Sequence, residues 1–386
     1  MKVVFLFMSK GSAAPGTSNN DWLTQKCGPQ YQETFGDECY FQMLQTLFDE
    51  GTITDLKVFF ESGVNPGRAD FVKGADCYVV PEISMIEPFI DYDTIIFARG
   101  GFKHWHDFLY SYKHKNWLVI YAANTGRHKW TWWDVNLDDT NMANIVDLHG
   151  RYQFPFIKPT NETIFKPDLT ADKIKYDICI GASHIHDKKG QYHVVKLMNV
   201  FREMFGYFPT AIMPGSLRRS THTVEMLGDQ TLNDEVICPG MVSKPELKEI
   251  YSKCKVFLHF GSCGQNDRSV LEAYACGMPL GIRTLSTHNP LLKPDESTIY
   301  HFDIDNDPDY QKSANKLKLI LDFWDISKKE VTFAKYKRLM GYDQVAIPSL
   351  RRLFSIMAFV GKPSIDAKEH IRTQMDIFGK EQNGKY

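Results

Sequence analysis

The sequence predicts an α/β protein built from two Rossmann-like parallel-sheet domains, and three observations carry that expectation. At 386 residues the chain exceeds what one hydrophobic core comfortably serves. Short runs of β-branched and aromatic residues alternate with helical stretches and Gly or Asn turns, the rhythm of βαβ units. The runs fall into two series parted by a Pro-containing joint over Phe154 to Pro167.

The first series is Val3 to Met8, Leu56 to Phe60, Cys77 to Val80, Thr94 to Ala98 and Trp117 to Ala122, five strands of one sheet. The opening apolar run has a strand's length and one basic residue before it, so it reads as a buried strand rather than a signal peptide. The second series is Asp177 to Gly181, Thr210 to Met213, Glu235 to Cys238, Val256 to His259, Pro279 to Ile282 and Thr298 to Phe302. Most of these runs are continuously apolar, as buried parallel strands are. Between them, a Ser-Lys-Pro start before Glu246 to Lys253 predicts a helix. Beyond about residue 325 the strands stop and the chain reads as helical, with Leu350 to Phe359 strongly apolar. The expected domains are therefore 1–160, 161–325 and a helical 326–386 able to pack back on the first. They are expected to face each other across a cleft.

Composition narrows the function classes. Lys plus Arg number 45 against 47 Asp plus Glu, so bulk charge supplies no drive toward nucleic acid or anionic lipid. No apolar run approaches the ~20 residues that span a bilayer, which leaves only peripheral membrane contact. The eight cysteines are scattered with no CxxC, consistent with reduced thiols in a cytoplasmic protein and with no zinc site.

The most informative segment is Val256 to Ile282, VFLHFGSCGQNDRSVLEAYACGMPLGI. A buried strand ends in a glycine-containing loop and a helix starts near Asn266 or Asp267, with Glu272 a turn or more inside. A helix N-terminus beyond the carboxyl end of a strand offers free amides and a positive dipole to a diphosphate. Glu272 could then accept hydrogen bonds from ribose hydroxyls. The plainer alternative makes Asn266 or Asp267 an N-cap and Glu272 a solvated helix residue.

Leu271-Glu272-Ala273-Tyr274-Ala275-Cys276-Gly277-Met278-Pro279 resembles the second half of the E-x7-E and A-x-A-x-G-x-P motif of the GT-B glycosyltransferases, in particular the retaining group called family 4 or group 1. The first glutamate is absent: its place holds Gly264, with Gln265 beside it. The resemblance then leaves donor contacts to the amides of Gln265, Asn266 and Asp267, with Arg268 or Ser269 nearby. Three more segments follow in the family's order. Phe156 to Asp168 resembles the interdomain joint. Lys189-Gly190 resembles the K-G whose lysine binds the donor diphosphate. Val236 to Phe257 resembles the segment that holds the nucleobase on its backbone after a glycine, here Gly240, Met241 and Val242. The family's arginine about six residues before the lysine is replaced by Ala182 or Ser183, leaving phosphate charge to Lys189 with Lys188, Arg218, Arg219 or Arg268. An ammonium is a point charge where a guanidinium is a bidentate fork.

The resemblance implies GT-B architecture and sugar transfer from a UDP- or GDP-linked donor, with retention and without metal or other cofactor. The acceptor would be a hydroxyl of a glycan, lipid-linked or protein-linked molecule. In the first domain Gly11, within Lys10 to Gly16, would approach the donor closely. His128 is the candidate histidine near the sugar, with Arg99 to His106 (RGGFKHWH) a competing loop. The implied catalytic set is His128, Lys189 and Glu272; Ser183, Gly190 and Gly264 complete the donor-binding set. Asp303 to Asp307 imitates an acidic metal loop, but Pro308 and Ala314 stand where a calcium loop needs Gly and Glu, so it reads as a solvated acidic loop. Alternatives are a degenerate nucleotide-sugar-binding scaffold, a GT-B epimerase, and a transferase acting on modified DNA bases.

Overall fold

The computed structural model describes residues 1–7, 20–28, 39–62, 65–91, 93–99, 108–109, 118–121, 134–138, 152–156, 158–170, 173–181, 189–215, 236–261, 267–284 and 292–360. The chain divides into two compact units. Unit 1 is Met1–Lys158 with Ala346–Tyr386, and unit 2 is Pro159–Val345.

Unit 1 carries β1 (Lys2–Phe7), β2 (Asp55–Glu61), β3 (Gly67–Arg68), β4 (Asp76–Val80), β5 (Ile95–Arg99), β6 (Leu118–Tyr121), β7 (Val135–Asp138) and β8 (Tyr152–Pro155). They form an eight-stranded sheet in the order β3-β4-β2-β1-β5-β6-β7-β8. All pairings are parallel except β3 with β4. The five expected strands are all present, but three were missed. β3 is two residues long, and β7 and β8 (VNLD and YQFP) mix polar residues into short runs. Phe154, expected in the joint, lies inside β8.

Helix α1 (Cys39–Asp49) buries Tyr40, Met43, Leu44 and Leu47 at helical spacing. Its first turn meets Phe5, with Phe5 and Tyr40 stacked at 5.9 Å and Phe5 and Phe97 edge-on at 5.1 Å. Offset and edge-on aromatic pairs of this kind add to the burial of a large apolar surface.

Unit 2 contains β9 (Tyr176–Ile180), α2 (Gln191–Phe205), β10 (Ala211–Pro214), β11 (Val236–Gly240), α3 (Lys244–Ser252), β12 (Cys254–His259), α4 (Arg268–Ala275), β13 (Leu280–Arg283), β14 (Ile299–Phe302), α5 (Gln311–Asp322) and α6 (Ser327–Met340). The six strands are parallel in the order β11-β10-β9-β12-β13-β14, matching the second series strand for strand. Helix α3 starts as the Ser-Lys-Pro signal predicts, with Ser243 and Glu246 forming a reciprocal capping box. Helix α2 buries Val194, Val195, Met198 and Phe201 against α5 and the sheet.

Asp303 to Asp307 corrects one expectation. Asp307 is buried and accepts hydrogen bonds from the amides of Lys312 (3.3 Å) and Ser313 (2.7 Å), fastening the start of α5. Asp303, Asp305 and Asn306 are exposed, and Asp305 pairs with Arg283.

The final described helix, α7 (Ile347–Val360), belongs to unit 1. It lies on α1: Arg351 grips Glu50, and Phe354 meets Phe97 edge-on at 6.5 Å. No helix among the described residues is long and apolar enough to cross a membrane.

Candidate functional site

In unit 2 the chain starts at β9, adds β10 and β11 on one side, then returns to add β12, β13 and β14 on the other. The strand order therefore reverses between β9 and β12. Beyond the carboxyl ends of such a pair the following helices diverge to opposite faces and leave a crevice, the usual ligand position of open α/β sheets. The helix after β9 is α2 and the helix after β12 is α4, so two helix N-termini border this place.

Gly190 fixes how closely they approach. It is the N-cap of α2 with φ +75°. A Cβ there would lie 2.2 Å from the carbonyl carbon and oxygen of Phe260, just beyond β12. Only glycine meets both demands. Its neighbour Lys189 is thereby carried to the start of α4, where its ammonium pairs with the Asp267 carboxylate.

Asp267 occupies the N-cap position of α4, yet its side chain makes no capping bond to its own helix. It turns instead to Lys189 and to His259, whose Nε2 lies 3.2 Å away. His259 is the last residue of β12 and is only 4% exposed. The Gly261 amide donates to its Nδ1 at 3.4 Å, so Nε2 carries the proton given to Asp267. Burial acts to raise the Asp267 pKa, but the His259 hydrogen bond and the Lys189 ammonium outweigh it and hold the carboxyl well below the usual range.

Glu272 lies one turn further into α4 and is 6% exposed, which overturns the reading of it as a solvated helix residue. Burial first, and the Glu272 charge second, push the nearby Tyr251 hydroxyl well above its ordinary pKa. Arg268 is exposed at the first position of α4. Gly240 ends β11 at φ +80° and its carbonyl accepts from the Gly215 amide at 2.8 Å. Met241 beyond it is 62% exposed.

Lys189, Gly190, Asp267, Arg268 and Glu272 thus gather at the β9/β12 reversal. Gly240, Met241 and Val242 lie at the carboxyl end of β11, two strands from β9. Gly11, His128, Ser183, Gly264, Gln265 and Asn266 lie outside the described residues, as do Lys188, Arg218 and Arg219. Sequence reasoning passed over His259, although a histidine inside the apolar run VFLHF was its visible signal. It gave Asp267 a donor contact through its amide or, in the plainer alternative, an N-cap; Asp267 does hold the N-cap position, but its side chain makes no cap bond.

Solved structures share the fold along nearly the whole chain. A glycosyltransferase from Rickettsia africae superposes with a TM-score of 0.60 at 12% identity, covering 92% of this chain and 99% of that one. Sucrose-phosphate synthase from Thermosynechococcus elongatus gives 0.60 at 12% identity, covering 94% and 100%. The fold is GT-B. HepE from Anabaena, solved with UDP and glucose, is a further GT-B neighbour, with a TM-score of 0.57 at 11% identity over 93% of this chain and 100% of that one. No protein-family model and no curated protein sequence matches the chain. The GT-B likeness is therefore one of backbone path, with few side chains shared.

Proposed function

We propose that the protein is a cytoplasmic glycosyltransferase that moves a sugar from a UDP- or GDP-linked donor to an acceptor hydroxyl, with retention and without a metal ion, in glycan or polysaccharide synthesis. The observation that carries this reading is the Lys189 ammonium held where the N-termini of α2 and α4 border the β9/β12 reversal. Those amides and that cation suit a diphosphate. Gly240 to Val242 lie two strand spacings away, about 10 Å, a suitable reach from diphosphate to base. HepE binds UDP and glucose, and the pneumococcal GtfA binds UDP and GlcNAc, which favours UDP-linked donors among the candidates.

In the proposed reaction the bond between the anomeric carbon and the diphosphate oxygen breaks and the acceptor oxygen bonds to that carbon from the same face. The hydroxyl proton passes to the departing diphosphate. Lys189 and the helix amides stabilise the negative charge that grows on the leaving group. Glu272 would fix the donor from within α4, and His128 is the histidine that the family resemblance assigns to the sugar. Asp267 must first yield Lys189, because one ammonium cannot fully serve both anions.

The test is thermal stabilisation by UDP-, GDP-, ADP- and CMP-sugars, with and without EDTA, on the wild type and on Lys189→Ala. A shift with one nucleotide class that survives EDTA and disappears in Lys189→Ala supports the reading. No shift with any donor overturns it and favours a scaffold in which Asp267 has taken the diphosphate's place. Isomerisation of free donor without acceptor would instead indicate an epimerase.

A further inference from the structure

One carboxylate oxygen, Oδ2 of Asp267, serves two partners of different kinds. Lys189 reaches it from just before α2, and His259 Nε2 approaches it from the end of β12. The Asp267 side chain is 17% exposed and that of His259 4%, so little water competes for this contact. The helix that Asp267 heads does not use its carboxylate. Helix α4 starts on the Asp267 carbonyl, which accepts from the Val270 amide at 2.9 Å and the Leu271 amide at 3.2 Å.

Among the described residues, other titratable groups face this pair from the elements around it. The Tyr251 hydroxyl of α3 feels the charges of both Asp267 and Glu272, and burial keeps it neutral. Cys179 of β9 lies near Tyr251, and burial keeps its thiol neutral as well. Glu272 follows a turn further into α4, and Arg268 stands exposed at the start of that helix. All of these are present with or without donor and cancel in the difference between the two states. Two things change when a nucleotide-sugar enters: Lys189 turns from Asp267 to the diphosphate, and a doubly charged anion arrives beside the carboxylate. Both changes oppose negative charge on Asp267 and favour a proton on it or on its histidine.

We propose that donor binding is coupled to the uptake of a proton by the His259–Asp267 pair, with His259 as a positioning residue. In the free protein His259 holds the carboxylate turned to Lys189; once the diphosphate takes Lys189, the pair accepts a proton from solvent. This inference rests on the reading of Lys189 as a donor-phosphate ligand. The proton belongs to the pair as a unit. On His259 it makes an imidazolium facing the carboxylate, at the cost of the 3.4 Å bond from the Gly261 amide. On Asp267 it makes a carboxyl group able to donate to a phosphate oxygen. Affinity for the donor therefore rises as pH falls through the value that the pair has in the complex.

The experiment titrates the full chain with UDP-glucose and with GDP-mannose by calorimetry, in buffers of low and high ionisation enthalpy, from about pH 5.5 to 8.5. Both diphosphates are esterified at each end and so lack the ionisation near pH 6 of a phosphate monoester. About one proton at most is expected to enter per ligand bound, and wild-type affinity is expected to rise by up to about tenfold for each pH unit lowered. Asp267→Asn should bind with no proton uptake and with an affinity that does not vary with pH. His259→Gln keeps a donor for the carboxylate but no titrating ring, and should move the uptake to lower pH. Should His259→Gln fail to fold, Asp267→Asn carries the comparison. Wild-type binding without proton uptake, or the same uptake in Asp267→Asn, overturns the coupling and leaves the donor reading standing. An unchanged pH profile in His259→Gln overturns the role of His259. Binding of neither nucleotide-sugar at any pH overturns the coupling and the donor reading together.

Discussion

Asp267 shows how one side chain would set the state of the proposed donor site. Its carboxylate holds Lys189 and is held by His259, so a diphosphate arriving there meets an internal competitor. Asp267→Asn keeps the shape and removes the charge, and nucleotide affinity is expected to rise about tenfold, equivalent to about 1.4 kcal/mol. Isothermal titration with the donor's nucleoside diphosphate measures it, and unchanged or weaker binding would sink the idea of competition. The same substitution should lower stability at neutral pH by on the order of 1–3 kcal/mol. Because the fold depresses this carboxyl, its contribution is complete above the unfolded value near 3.9 and is lost as pH falls toward the folded one. Urea unfolding should thus show the gap between wild type and Asp267→Asn shrinking progressively below about pH 4. Gly190→Ala tests the neighbouring backbone. A left-handed alanine costs about 1–2 kcal/mol before its Cβ displaces Phe260, so both melting temperature and nucleotide-induced shift should fall.

Among the elements, α3 ends in a way its sequence does not announce. The Lys329 side chain enters from α6, fully buried, and donates to the carbonyls of Tyr251 (3.3 Å) and Ser252 (2.7 Å), supplying partners for helix-end groups that lack intrahelical ones. Burial lowers its pKa. The folded protein therefore sheds this proton before the unfolded chain does, near 10.4, and stability rises with pH between the two values. Urea midpoints measured as the pH is raised toward the unfolded value should show that rise in wild type and a smaller one in Lys329→Met, whereas parallel curves would mean that Lys329 stays charged throughout. Such a contact is invisible in a local pattern, since 77 residues separate Lys329 from Ser252. Most strands of unit 2 were legible for the opposite reason: they are largely buried on both faces and read as apolar runs, whereas the edge strand β11 leaves Ile237 and Pro239 exposed. In unit 1, β7 and β8 gave no such signal, because Asn136, Asp138 and Gln153 interrupt them. The candidate site divides similarly. Lys189, Gly190 and Glu272 stand in recognisable local motifs, but the turn of Asp267 toward Lys189 depends on residues 78 apart.

At the scale of the whole chain, two connections join the units, at Lys158/Pro159 and at Val345/Ala346. The first is marked in the sequence by Pro155, Pro159 and Pro167, whereas the second falls within a run that reads as helix, with Gly341 and Pro348 its only interruptions. Within unit 2 the residues beside these connections are fastened together by Glu162. Its Oε2 accepts from Lys337 Nζ at 2.5 Å and its Oε1 accepts from the Tyr342 amide at 2.7 Å. Tyr342 opens the short π-helical turn Tyr342–Ala346 that leads to the second connection, and the Thr160 amide beside the first donates to Tyr336 at 3.1 Å. π-Helical turns are rare and recur frequently at functional sites. Glu162→Ala should release the turn while leaving β9 and β12 intact, since neither strand touches this carboxylate by hydrogen bond. Losing a half-buried acceptor of two bonds lowers the local opening free energy by about 1–3 kcal/mol, so the Tyr342 amide should exchange with deuterium roughly 10- to 100-fold faster. The amides of Ile178 and Phe257 should exchange as before. Equal acceleration at those core positions would show that Glu162 supports unit 2 globally, and no acceleration at Tyr342 would show that the turn is held by its packing alone.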